Sequence, residues 1–137
     1  MSDDPSYDQV NQITMANGSD PKKLQKDICF ITKSVIENNI LHFEITYSGG
    51  CKKHEFELVV WDYFFVTEND IQAKIVLSHD SNGDTCKSII KKDLYFDLSP
   101  LKLQFQKFFQ KRSGNITLLI DGMNVKYEFW KCTDSGS

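Results

Sequence analysis

The chain has 137 residues, 40% of them apolar, enough for one domain to bury a core without needing a metal or a disulfide for basic stability. Its 16 basic and 19 acidic side chains leave a formal net charge of -3 with the basic residues scattered, so no electrostatic footprint for DNA or RNA is present. No apolar run reaches the ~20 residues of a membrane helix, and the opening Met-Ser-Asp-Asp-Pro has neither the positive n-region nor the apolar h-region of a signal peptide. That opening fits an exported domain whose signal has been removed, and a cytoplasmic location stays open beside it.

Residues 1–26 are rich in Asn, Gly, Ser, Asp and Pro, with Val10, Ile13, Met15 and Leu24 the sizeable aliphatic residues, a composition that predicts a flexible polar leader. Residues 27–132 read as a single β-rich domain, and 133–137 as a flexible tail. The first hairpin joins Ile28 to Ile36 with Leu41 to Tyr47, across a turn in which Asn38 and Asn39 tolerate positive φ. His42 falls on the polar face of its strand and is expected to be exposed and idle. Ser48-Gly49-Gly50 then breaks the strand and delivers Cys51.

The next two segments, His54 to Val60 and Ala73 to His79, alternate polar and apolar residues and predict a central strand pair. In an antiparallel hairpin, one register sets His54 opposite His79, Phe56 opposite Leu77, Leu58 opposite Ile75 and Val60 opposite Ala73. It also brings Cys51 and Cys86 to the end away from the connecting loop. At the other end lies an aromatic run containing Trp61, Tyr63, Phe64 and Phe65, which reads as a plug of the sandwich end or, failing that, as a contact surface for a protein or small ligand.

Ser88 to Leu98 follows as a strand disturbed near Lys91-Lys92. Ser99-Pro100 marks a helix start, Leu101, Phe105, Phe108 and Phe109 keep helical spacing, and Gly114 is placed to end the helix. A last hairpin joins Ile116 to Ile120 with Val125 to Phe129 across Asp121-Gly122, a turn extended by Met123 and Asn124. About seven strands and one short α-helix, with neighbours in sequence pairing, predict a mainly β protein: an antiparallel β-sandwich, with a barrel as the alternative.

The words Tyr47-Ser48-Gly49-Gly50-Cys51-Lys52-Lys53-His54-Glu55-Phe56, Leu77-Ser78-His79-Asp80, Asp84-Thr85-Cys86 and Phe96-Asp97-Leu98-Ser99-Pro100-Leu101 resemble a family of small, functionally uncharacterised bacterial proteins. Many members are exported or lipid-anchored, and they share a Tyr-Ser-Gly-Gly-Cys-x-x-His-x-Phe word. The resemblance covers roughly residues 28 to 130. It implies an exported β-domain and brings no reaction with it.

The convergence of Cys51, His54, His79 and Cys86 admits several chemistries. A Cys51–Cys86 disulfide would close a loop of about 35 residues in an oxidising compartment, and the even cysteine count leaves Cys29 and Cys132 for a weaker second pairing. Alternatively the four side chains make a closed, structural zinc site, although the six residues between His79 and Cys86 exceed common ligand spacing. The plain structural reading gives hydrogen-bonded histidines and inert thiols. A thiol nucleophile at Cys51, with Asp80 orienting His79 and the Gly49 and Gly50 amides as donors, has its parts present without a distinguishing pattern. Asp80 to Asp84 departs from a calcium loop, which would need glycine where Thr85 stands and an acid where Lys91 stands. The residues thus predict a non-enzymatic exported binding or structural module without a cofactor, and a zinc-dependent hydrolase or a thiol enzyme stands as the rival.

Overall fold

The structure, a computed structural model, describes residues 10–16, 24–68, 70–120 and 122–129. These residues form nine strands and one helix: β1 (Val10–Gln12), β2 (Thr14–Met15), β3 (Phe30–Glu37), β4 (Ile40–Gly49), β5 (Glu55–Val66), β6 (Ile71–Asp80), β7 (Ser88–Asp97), α1 (Ser99–Phe109), β8 (Gly114–Ile120) and β9 (Met123–Phe129). They build two sheets, ordered β1-β7-β4-β3 and β2-β5-β6-β8-β9. The inward residues of both meet in one core. Leu41, Phe43 and Ile45 of β4, Leu58 and Val60 of β5, Ile75 of β6, Phe96 of β7 and Leu118 of β8 are all buried there. The expected sandwich with one helix is present, and among the described residues no sheet closes into a barrel.

The pairing is less uniformly antiparallel than expected. β1 runs parallel to β7, β2 parallel to β5, and β6 parallel to β8. Parallel neighbours need a crossover. Between β6 and β8 it is supplied by β7, which lies in the other sheet, followed by α1. Two of the unexpected parallel strands come from the polar leader, which is not wholly free: β1 and β2 lie on opposite sheets, and Ile13 between them is buried in the core. Further along, the backbone of Gln25 and Asp27 hydrogen-bonds to His79 of β6 before the chain passes over to β3. The remaining leader positions, the tail 133–137 and Cys132 lie outside the described residues.

Turn chemistry places both hairpins where the sequence predicts, but Met123 and Asn124, expected in the last turn, already pair with Ile120 and Leu119. Asn38 and Asn39 have φ of 51° and 69°, and Gly122 has 84°. β7 pairs with β4 without a break from Ser88 to Asp97, so Lys91-Lys92 does not disturb it. The helix starts at Ser99 with Pro100 in its first turn and buries Leu101 and Phe105. It ends at Phe109, five residues before Gly114, with Gln110 taking the left-handed position. Gly114 has a different task, because a side chain there would collide with the Phe105 ring.

Candidate functional site: a histidine and aspartate cluster beside a disulfide

Cys51 and Cys86 are joined in a disulfide, with Cα atoms 5.9 Å apart. The strand register behind it differs from the expected one by two residues: His79 faces Phe56, Leu77 faces Leu58, and Ile75 faces Val60. A slip of two leaves every side chain on its predicted face, so apolar alternation alone cannot choose between the two registers. Irregularities between Val60 and Asp62 and between Tyr63 and Phe65 shift the register further toward the connecting loop, so that Tyr63 rather than Val60 faces Ala73. His54 therefore sits just before β5 rather than opposite His79. The two imidazoles still meet, with Nδ1 of His54 2.8 Å from Nε2 of His79.

Asp84 is the residue that sequence reasoning passed over. Its Oδ2 accepts from the backbone N–H groups of Gly50, Cys51 and Lys52, each at 3.1 Å, and lies 2.8 Å from His54 Nε2. Its Oδ1 accepts from the Cys86 N–H at 3.0 Å. Neither the Asp84 nor the His54 side chain has appreciable exposed surface. The His54 hydrogen bond first, and then the amides of Cys86, Lys52 and Cys51, hold the Asp84 carboxyl well below the usual carboxylate range against the opposing cost of burial. The glycines explain the loop. Gly50 has φ of 116°, the turn that gathers three successive amides on one oxygen, while a Cβ on Gly49 would lie 2.6 Å from His54 Nε2 and 2.8 Å from Asp84 Oδ2. The Asx position two residues before Cys86 was the available signal, and it reads equally well as an ordinary turn.

The hydrogen bonds of the cluster run in one chain from Asp27 to Asp84. His79 Nδ1 lies 3.0 Å from the Asp27 carbonyl oxygen, which can only accept, so Nδ1 carries hydrogen. Asp84 is ionised, so His54 Nε2 carries hydrogen as well. One more hydrogen must lie between His54 Nδ1 and His79 Nε2. Burial foremost, with the His54 charge adding to it, pushes His79 below the usual imidazole range. Tyr47 roofs both rings, at centroid distances of 4.4 and 5.3 Å, and Phe56 stacks on His79 at 4.5 Å.

These contacts redistribute the roles expected from the sequence. The two sulfurs are bonded to each other and the two imidazoles turn nitrogens toward one another, so the four donors of the zinc reading do not face a common centre. The nucleophile reading loses its thiol at Cys51, and His79 is oriented by the Asp27 carbonyl rather than by Asp80. Asp80 accepts from the Asn82 amide, within a turn where Asn82 and Gly83 have φ of 55° and 74°. Cys29 is half-buried against the core. His42 faces outward as expected but is not idle, since it stacks on Tyr95 at 4.4 Å and pairs with Asp93 at 2.9 Å.

The aromatic run at the far end divides by face. Tyr63 and Phe64 pack against the core, with Phe64 reaching the rings of Phe105, Phe108 and Phe109 of the helix. Trp61 and Phe65 instead flank the Lys74 ammonium, which lies 5.3 and 4.7 Å from their ring centres. Above the histidine cluster a cleft of about 400 Å³ opens between Tyr47, Ser48, Ser81 and His79, walled by Ile28 and Phe30. Those two apolar side chains are 75% and 66% exposed. Among the described residues no helix is long and apolar enough to cross a membrane.

No family model matches the chain, and no curated protein does. Solved structures do resemble it. A NigD-like immunity protein from Bacteroides caccae superposes with a TM-score of 0.58 at 18% identity, over 88% of this chain and 64% of that one. The likeness shows the fold alone. A protein of unknown function from Bacteroides vulgatus has a TM-score of 0.54 at 16% identity, over 89% of this chain and 56% of that one. A candidate lipoprotein from Bacteroides fragilis has 0.54 at 11% identity, over 88% and 67%. The chain thus spans 56 to 67% of the length of these three structures. Their source agrees with the bacterial group that the sequence resembles.

Proposed function

We propose that the protein is an exported, non-enzymatic binding module whose cysteine and histidine cluster is a staple. The observation that carries this reading is the closed bonding of the cluster. The thiols are consumed in the Cys51–Cys86 disulfide, the histidine nitrogens and the Asp84 oxygens are all engaged, and no described buried side-chain polar atom lacks a partner. A nucleophile or general base needs a lone pair free to meet substrate. Export is supported by the disulfide, which persists in oxidising compartments, and by a fold shared with a candidate lipoprotein. A protein partner is supported by the fold shared with a NigD-like immunity protein, with the Ile28 and Phe30 wall and the outward Trp61 and Phe65 as the surfaces to offer it.

The test is to produce the protein in an oxidising compartment and in a reducing one, then alkylate under denaturing, non-reducing conditions and weigh the intact chain. Protection of Cys51 and Cys86 in the first preparation is the expected result. Alkylation of both there, together with a stoichiometric metal in the native mass, would return the zinc enzyme and overturn the staple.

A further inference from the structure

Among the described residues β3 is the outer strand of its sheet and pairs with β4 alone. Its beginning is irregular: the register shifts between Ile31 and Lys33, and the Thr32 hydroxyl there donates to the Glu44 carbonyl at 3.0 Å. From Lys33 to Glu37 the strand is regular, and the turn that follows fixes which backbone groups face the open edge. Asn38 and Asn39, both at positive φ, make a two-residue turn of the I′ kind. Such a turn makes its flanking residues, Glu37 and Ile40, a hydrogen-bonded pair. Alternation then directs the backbone N–H and C=O of Val35 and Lys33 toward β4, and those of Ser34 and Ile36 toward the open edge. The side chains of Lys33, Val35 and Glu37 share the exposed face, while Ser34 and Ile36 are half-buried.

We infer that this edge is an interaction surface for a second copy of the chain, paired antiparallel about a two-fold axis through Val35. Ser34 of one copy and the second copy's Ile36 then exchange backbone hydrogen bonds, and the reverse pair does the same. The two Val35 residues meet as a non-hydrogen-bonded pair, the kind in which side chains approach most closely. Lys33 faces the second copy's Glu37 and Glu37 faces the second copy's Lys33, so the segment Lys-Ser-Val-Ile-Glu complements itself in charge. Parallel pairing would set Lys33 beside Lys33, and a slip of one residue would mismatch the faces. The two-fold joins two sheets into one of twice the width and removes both open edges, which otherwise offer unpaired backbone to any passing strand. The Asn-Asn turn thus directs the hydrogen bonds, and the charges at the ends of the segment set the register.

Sedimentation velocity over a range of protein concentrations, with circular dichroism to show that each variant folds, tests the pairing. The expected result is a reversible dimer that K33E or E37K alone weakens about ten-fold, since either change turns both cross-strand ion pairs into like-charge pairs. The double variant K33E/E37K exchanges the charges and restores dimer formation. Val35→Cys should form a disulfide-linked dimer on mild oxidation much faster than Val66→Cys, a control whose parent side chain is 64% exposed. A chain that stays monomeric with no preferential Val35→Cys cross-link would overturn the inference. So would a dimer indifferent to K33E, or one that the charge exchange fails to restore.

Discussion

Gly49 has space for a hydrogen and nothing larger. A methyl group there would press on both members of the His54 and Asp84 pair, so Gly49→Ala is expected to cost about 1 to 3 kcal/mol as overpacking, read from urea denaturation. Gly122→Ala is the contrast, with no heavy atom within 4 Å and only the positive φ of 84° to oppose it, at about 1 kcal/mol. The cluster also responds to acid. Burial depresses His79, so the folded form refuses a proton that the unfolded chain accepts. The stability that follows is complete above the ordinary imidazole range and declines as pH falls through it. Asp84 is depressed too, so its contribution is present above the ordinary carboxylate range and is lost as pH falls toward its lowered value. Urea midpoints should therefore drop between about pH 7 and pH 3. Asp84→Asn should lower the midpoint at neutral pH, where His54 Nε2 and the loop amides lose an ionised acceptor, and flatten the more acidic part of the curve. An unchanged slope below about pH 4 in that variant would remove Asp84 from the account.

Elements with a strong local signal were legible in the sequence, and those defined by distant pairing were not. Asn38-Asn39 and Gly122 announce hairpins because few residues accept positive φ, and Ser99-Pro100 announces the helix because proline suits its first turn. β1 and β2, of three and two residues, are too short for any periodicity to register. Their partners lie in β7 and β5, far along the chain. The central register was misread for a related reason: alternation gives the face of Phe56 and His79 but not which of two equivalent slips occurs. The meeting of His54 with His79 and of Cys51 with Cys86 survived that error, since a slip of two residues moves a side chain along its face without turning it away. Gly114 was misassigned because a glycine beyond an amphipathic run resembles a helix stop. Its actual contact, the Phe105 ring, belongs to the packing of α1 against the start of β8. Gly114→Ala should accordingly lower stability by about 1 to 3 kcal/mol without shortening the helix, and a far-UV spectrum of native helix content alongside a reduced urea midpoint would distinguish packing from capping.

At the scale of the molecule, the cluster stands where one sheet leaves the chain and returns to it. β4 and β7 are neighbours in one sheet, yet the whole β5–β6 hairpin of the other sheet is inserted between them in sequence. Gly49 pairs with Ser88 at the base of that insertion. Just beyond, the disulfide spans a separation of 35 residues and closes the insertion on itself. Asp84 ties the same base together through the amides on both sides of the link. The bond thus holds the inserted hairpin to the sheet from which it departs. Loop-closure entropy assigns a link of this span about 3 to 4 kcal/mol. The core lies apart from it, since Leu41, Phe43, Leu58 and Phe96 are buried in a cluster that includes neither Cys51 nor Cys86. Cys51→Ala/Cys86→Ala should consequently fold, with a urea-derived stability lower by about 3 to 4 kcal/mol and hydrogen exchange accelerated first at the cluster end of β5 and β6. Exchange that quickened uniformly across both sheets would mean that the link governs global unfolding and does no separate work in holding the hairpin down.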